Sequence, residues 1–240
     1  MRVVISQSMY FPWIGLLEQI RLADVFVHYD DVQFSKGSFS NRVQVKTEVR
    51  TTWMTVPLDD HRLRQTIDEV QIKPRSAWRD RHLALLSQSF RGAPHAKEAL
   101  DIAASVMDGN HRTVSDLSRA SMLALSNYFG LDRDTRFVDS KDFNVPGSSS
   151  ARVLGLVKVV GGGDYITGHG ARQYLDHQLF EEAGVSVSYM DYKMTPYPQL
   201  NGAFTPYVTA LDLVANCGRD GLTSIASGTR NWKEFVNEPS

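Results

Sequence analysis

The side chains able to do chemistry gather in a few short stretches. Asp30 and Asp31 stand side by side, followed closely by Gln33, Asn41 and Arg42. Two adjacent carboxylates repel, so one can act as an acid or base near neutrality, or the pair can bind a cation. In the plainer reading one caps a turn and the other is solvated. Amides and a guanidinium beside them suit a polar ligand rich in hydrogen bonds. Arg42 can hold a phosphate or carboxylate through two parallel N–H groups, which lysine does less well. Gln7 and Tyr10 lie in a loop that runs into a helix N-terminus, where free backbone N–H groups attract anions. Tyr10 either stacks on a sugar or base ring or packs in the core, as Phe11 and Trp13 are expected to. This loop has no glycine before Gly15, so it is neither a Walker loop nor a dinucleotide fingerprint.

Histidine is the usual base near neutral pH. Of the 7 histidines, His61, His95, His111 and His177 fall in polar loops or on helix surfaces, and His28 alternates with Val27 and Tyr29 in a strand. His82 opens a helix in Arg79-Asp80-Arg81-His82. His169 sits between Gly168 and Gly170 at a strand-to-helix turn, where an active-site residue can be presented or where the glycines simply build the turn. Cys217 could be the nucleophile of a covalent acyl transfer, although a cysteine at a helix end is more often a small buried filler. Tyr207 and Tyr192, with Tyr197, Gln199, Asn201 and Phe204, belong to an aromatic and amide-rich loop that could stack on a ring or simply pack on itself. Asp212 and Asn216, four apart, share one helix face.

These residues need elements to position them. Val3-Val4-Ile5 and Val25 to Tyr29 read as buried strands around a helix carrying Ile14, Leu17 and Ile20. That is a βαβ unit of a parallel sheet, whose ligand crevice lies past the strands' carboxyl ends. Residues 42–45 and 52–57 read as paired strands, and 70–72 as a further short strand. Apolar spacing of three and four from 77 to about 130 predicts a helical insertion. Residues 142–150 form a Pro/Gly/Ser-rich connector. Helices are expected at 151–160, 171–183 and 208–216, with strands at 135–138, 164–167 and 185–189. The expected fold class is α/β: a single domain over 1–240, its mixed or mostly parallel sheet opening with the βαβ unit, with the helical insertion in mid-chain.

Composition narrows the function. The chain has 240 residues, 42% hydrophobic and 22% charged, with a net charge of −1. This balance argues against disorder and against general nucleic-acid binding, which needs a clustered basic face. The single cysteine excludes an internal disulfide and a cysteine-based zinc cluster. Apolar runs fall far short of the ~20 residues that span a bilayer, and no long apolar leader follows Met1-Arg2. A cytoplasmic protein, with no membrane contact, is expected.

The ordered motifs resemble the WbqC-like protein family of bacteria. They are Gln7-x-x-Tyr10-Phe11-Pro12-Trp13-Ile14-Gly15, Asp30-Asp31-Val32-Gln33-Phe34, Asn41-Arg42, Trp53-x-x-Val56-Pro57, Trp78 with His82, Thr167-Gly168-x-Gly170-Ala171-x-x-Tyr174-Leu175, and the stretch from Phe204 to Gly218. The resemblance spans nearly the whole chain. It implies a transferase of polysaccharide or natural-product biosynthesis that places an acyl or aminoacyl group on an amine, and it makes His82 the preferred base. Relatives commonly carry proline or another small residue where this chain has His169, and Cys217 lies outside the family signature. The expected catalytic set is therefore Asp30, Asp31, His82 and Cys217. Gln7, Tyr10, Gln33, Asn41, Arg42, Gly168, His169, Gly170, Tyr207 and Asp212 are expected to bind substrate. The acceptor would be an amino sugar or other small amine. The donor would be an acyl or peptidyl carrier protein thioester or an aminoacyl-tRNA. No cofactor is required, and only Asp30-Asp31 could hold a magnesium ion, weakly. Two alternatives stay open: a non-catalytic nucleotide-sugar or partner-binding protein, and a metal-dependent nucleotidyltransferase.

Overall fold

A computed structural model describes residues 1–237. The chain opens with β1 (Arg2–Ser6), α1 (Ile14–Leu22) and β2 (Val25–His28), and β1 and β2 pair in parallel. β3 (Arg42–Lys46) and β4 (Thr51–Thr55) form a separate antiparallel hairpin. Three helices follow: α2 (Arg79–Ser89), α3 (Ala96–Met107) and α4 (Val114–Phe129). The chain then returns to the sheet through β5 (Arg136–Asp139), α5 (Ser149–Val159), β6 (Asp164–Thr167), α6 (His177–Glu182) and β7 (Ser186–Asp191). It ends with α7 (Ala210–Cys217), β8 (Gly228–Asn231) and α8 (Trp232–Val236).

The main sheet has the order β5-β2-β1-β6-β7-β8, and every pairing is parallel except β7 with β8. This is the expected α/β class. The chain builds outward from β1 through β2 to β5, then crosses back to place β6 on the other flank of β1. Strand order therefore reverses between β1 and β6. In parallel sheets the loops diverge at such a point and leave a crevice beyond the strands' carboxyl ends.

Both faces of the sheet are covered, as a parallel sheet requires. Val4 and Phe26 point into a core shared with α1, α4 and α7, while Val3, Ile5, Val25 and Val27 pack against α5, α6 and α8. Close approach is needed where α5 meets β1. A Cβ on Gly162 would lie 2.5 Å from Val3 Cγ2 and 3.0 Å from the Val157 carbonyl oxygen. α4 carries Ser115, Ser118 and Ser121 at three-residue spacing, all buried. Small hydroxyls there let the loops of the sheet come close and hydrogen-bond to the helix. A Thr113–Asp116 capping box starts α4, and Gly130 ends it at φ 70°.

Two expected elements differ. Residues 70–72 form isolated bridges, Gln71 with Thr113 and Leu58 with Ile72, because no neighbouring segment runs alongside them for longer. The helix expected over 171–183 is split into a 3-10 turn at His169–Gln173 and α6. Asp176 divides them by accepting a hydrogen bond from the Leu179 amide as the N-cap of α6. The edge strand β8 and helix α8 carried no clear periodic signal.

Gly162→Ala is expected to destabilise the fold by roughly 1–3 kcal/mol, because the clash includes backbone. Urea denaturation measures this, and an unchanged midpoint would show that the α5–β1 approach is looser than described.

Candidate functional site

Gln7, the residue after β1, faces Thr167 and Gly168 at the end of β6 across the reversal point. One cavity of about 400 Å³ is lined by Gln7, Gln19, Tyr29, Tyr165, Thr167 and Tyr174, among others. A second, of about 340 Å³, is lined by Trp13, His169, Met190, Tyr192, Met194 and Tyr207. Gln19, Gly168 and Gly170 line both, so the two form one crevice with the glycine turn at its waist. A Cβ on Gly168 would lie 3.0 Å from Gln19 Nε2, whereas Gly170 faces open space.

His169 is the one histidine lining the crevice. Its Nε2 lies 2.7 Å from the Met190 carbonyl oxygen. A carbonyl only accepts, so Nε2 carries the proton and Nδ1 keeps a free lone pair. The ring packs 4.7 Å from that of Phe235. Tyr165, Tyr174 and Tyr192 have phenol pKa values raised by burial, so they remain neutral donors at neutral pH. Trp13 contacts Tyr192 edge-on at 5.1 Å and Tyr207 at 5.4 Å, giving one aromatic wall. Among the described residues no carboxylate, lysine or arginine lines the crevice. Aromatic faces and amides without formal charge suit a neutral polar ring.

A correction concerns the acidic pair and His82, which were expected at the crevice: none of the three lines it, Asp30 and His82 are buried, and Asp31 is half-buried. Asp30 is fully buried. Its Oδ1 accepts from the Ser8 amide at 2.8 Å, and its Oδ2 accepts from Ser8 Oγ at 2.8 Å, Ser115 Oγ at 2.6 Å and Arg119 Nε at 2.6 Å. Arg119 also pairs with Asp139. Ser8 has one hydroxyl proton and gives it to Asp30, so His28 Nδ1–H donates to Ser8 Oγ over 2.9 Å. Asp31 turns elsewhere, paired with Arg152 and accepting from Ser140 Oγ at 2.6 Å. The two carboxylates thus share no cation site, and among the described residues no three His, Cys, Asp or Glu side chains converge. His82 uses both ring nitrogens: Nε2–H donates to the Thr55 carbonyl at 3.1 Å, and Nδ1 accepts from Tyr10 OH at 3.1 Å. His82 is buried, Tyr10 fully so, and neither lines the crevice.

The other expected residues scatter. Gly168, His169, Gly170, Gln7 and Tyr207 meet in the crevice. Asp212 is buried and accepts from Tyr197 OH at 2.8 Å and Gln199 Nε2 at 2.9 Å. Gln199 in turn receives the Lys46 ammonium, which also donates to the Gly202 and Ala203 carbonyls. This network fixes the 197–205 loop instead of facing the crevice. Gln33 is on the surface, bridged to Thr66. Asn41 and Arg42 line a separate cavity. Cys217 lines a third, with His95, whose Nδ1–H donates to Glu98 at 2.8 Å. Burial, then Asp212 and Asp220, raise the Cys217 thiol's pKa, which keeps it protonated.

The sequence pattern of the WbqC-like protein family matches residues 7–224. The chain belongs to the WbqC-like protein family. The uncharacterized protein Rv1507c of Mycobacterium tuberculosis (strain ATCC 25618 / H37Rv) is 33% identical over 222 residues, covering 91% of this chain and 95% of that protein. No solved structure matches. The WbqC-like match begins at Gln7 and includes every crevice-lining residue except Ile5 and Ser6, which belong to β1. It stops before Phe235, the ring that supports His169.

Reasoning from sequence passed over the crevice-lining Gln19, Tyr29 and Trp13. Gln19 had one usable signal, a polar residue among Leu16, Leu17 and Ile20 in a helix otherwise largely buried. The aromatic residues gave none, since ring type alone does not separate a ligand wall from a core. No helix among the described residues is long and apolar enough to cross a membrane.

Asp30→Asn places an amide among donors and leaves Arg119 under-compensated, so a loss of roughly 3–5 kcal/mol is expected. A denaturation difference below about 1 kcal/mol would sink the structural role. Burial pushes His28 and His82 down to about 4 in the fold. The unfolded chain therefore binds these protons first, and their stability contribution, complete above the ordinary value of 6.5, is lost as pH falls from there to about 4. With both contributing, the slope reaches up to about 2.7 kcal/mol per pH unit. Guanidinium midpoints should begin to fall near pH 6.5; a flat profile down to the carboxylate range contradicts it.

Proposed function

We propose that this WbqC-like chain is an amide-forming transferase that holds an amino-sugar-type acceptor in the crevice and moves an acyl or aminoacyl group onto its amine. The observation that carries the reading is His169, a base with one nitrogen anchored on a backbone carbonyl and the other free, set in an uncharged aromatic crevice. Sugars are recognised by aromatic faces and amide hydrogen bonds, which Tyr174, Tyr207, Gln7 and Gln19 supply.

Amide formation from a free acid is uphill, so the donor arrives activated, as a carrier-protein thioester or an aminoacyl ester. The acceptor nitrogen attacks the acyl carbon while His169 Nδ1 takes the amine proton. The C–N bond forms, the C–S or C–O bond to the donor breaks, and the proton passes to the departing sulfur or oxygen. Direct transfer of this kind leaves no role for a protonated Cys217 at the far end of α7. It also reassigns the base from His82 and Asp30 to a residue that is particular to this chain within the resemblance.

Turnover with acyl thioesters and a panel of amino sugars, followed by mass spectrometry of product and protein, tests the reading. His169→Ala is expected to lower kcat about 10²- to 10⁴-fold, the usual worth of a positioned general base. Tyr174→Ala is expected to raise KM, and Cys217→Ser to leave turnover unchanged. A protein adduct on Cys217 that discharges on adding amine would replace direct transfer with a covalent route. Acceptor binding with no amide formed from any donor would make the chain a binding protein.

A further inference from the structure

A cavity of about 440 Å³ lies apart from the crevice and shares no lining residue with it. Its titratable lining groups are Lys36, Arg42 and His61, and no carboxylate among the described residues lines it. The half-buried Arg79, Arg119 and Arg152 are each held by carboxylates, whereas Arg21 bonds the Ser227 carbonyl. Arg42 has no carboxylate partner among the described residues, and neither does Lys36. Its Nε is buried with no acceptor. Removing part of a cation from water without compensating charge is costly, so such a group is retained where something else supplies the charge.

The guanidinium is nevertheless held in place. It lies 4.1 Å above the Trp53 ring, and Nη2 donates to the Gly37 carbonyl. Gly37 has φ +93°, and a Cβ there would sit 3.1 Å from Nη2, so glycine is what allows the backbone to meet the guanidinium this closely. Nη1 and the second Nη2 proton have no acceptor. A planar donor fork, fixed by stacking and beside an unpaired lysine, matches an oxyanion with several acceptor oxygens and loses little entropy on binding.

We propose that this cavity is a phosphoryl site, taking the phosphate of a nucleoside diphosphate or of a phosphopantetheine arm. Phosphate supplies the missing negative charge at Arg42 and Lys36, and the remaining volume accommodates the attached group against Phe34. The site does not depend on the crevice or on His169, and each can fail without the other.

Isothermal titration at low ionic strength on the full chain tests this with inorganic pyrophosphate, uridine diphosphate and 4′-phosphopantetheine, against uridine and pantetheine as phosphate-free controls. The expected result is binding of phosphorylated probes, at least about tenfold weaker for the controls. Arg42→Ala should weaken binding about tenfold or more, Arg42→Lys should fall between, and the exposed Lys36→Ala should weaken it several-fold. His169→Ala should leave it unchanged. Tighter binding of uridine diphosphate or of phosphopantetheine assigns the source of the phosphate. Absence of binding by every phosphorylated probe to the folded protein overturns the proposal, as does equal affinity in the wild type, Arg42→Ala and Lys36→Ala.

Discussion

The structure depends on one buried charge. Asp30, fully removed from water, is tolerable only because Ser8, Ser115 and Arg119 surround it with donors, and Arg119 is shared with Asp139. Those partners come from the loop after β1, from α4 and from the end of β5, so satisfying one carboxylate fixes the upper rim of the parallel sheet against the helical insertion. Ser121 adds to this by accepting the Phe11 amide at 2.8 Å, where Phe11 is held at φ 40°, a conformation an aromatic residue seldom adopts. The loop that presents Gln7 is thus built into the core on its other side.

A second buried polar set fixes the loop from 197 to 205. The Lys46 ammonium spends its three protons on Gln199, Gly202 and Ala203, while Asp212 receives Tyr197 and Gln199. Burial lowers the lysine's pKa and raises the aspartate's, the direction desolvation imposes on each. Formal charge in both sets is therefore consumed in holding loops, and the described residues that line the crevice are uncharged apart from His169. Positive charge without a carboxylate partner among the described residues occurs instead at Arg42 and Lys36, which line a separate cavity. Separating a neutral aromatic crevice from a cationic cavity gives the molecule two chemically distinct surfaces, one suited to a sugar ring and one to an oxyanion.

The amino-acid sequence by itself determined the parts whose physics is local. Apolar runs of β-branched residues marked β1 and β2, three- and four-residue spacing marked α2, α3 and α4, and Gly130 ended the last of these. The reversal of strand order placed its crevice where Gln7 and Gly168-His169-Gly170 had been expected to bind a ligand. The motifs also sufficed to identify the family. Tertiary structure alone decided which polar residues line a cavity and which are spent on the fold. Asp30 and Arg119 are 89 residues apart, and Tyr10 and His82 are 72 apart. A carboxylate–amide–histidine cluster reads the same from sequence whether it lines a cavity or satisfies a core. Burial and hydrogen-bond partners make the difference, and they come from distant segments brought into register by the sheet. The same reason hid Tyr29 and Gln19, which line the crevice only because β6 lies beside β1.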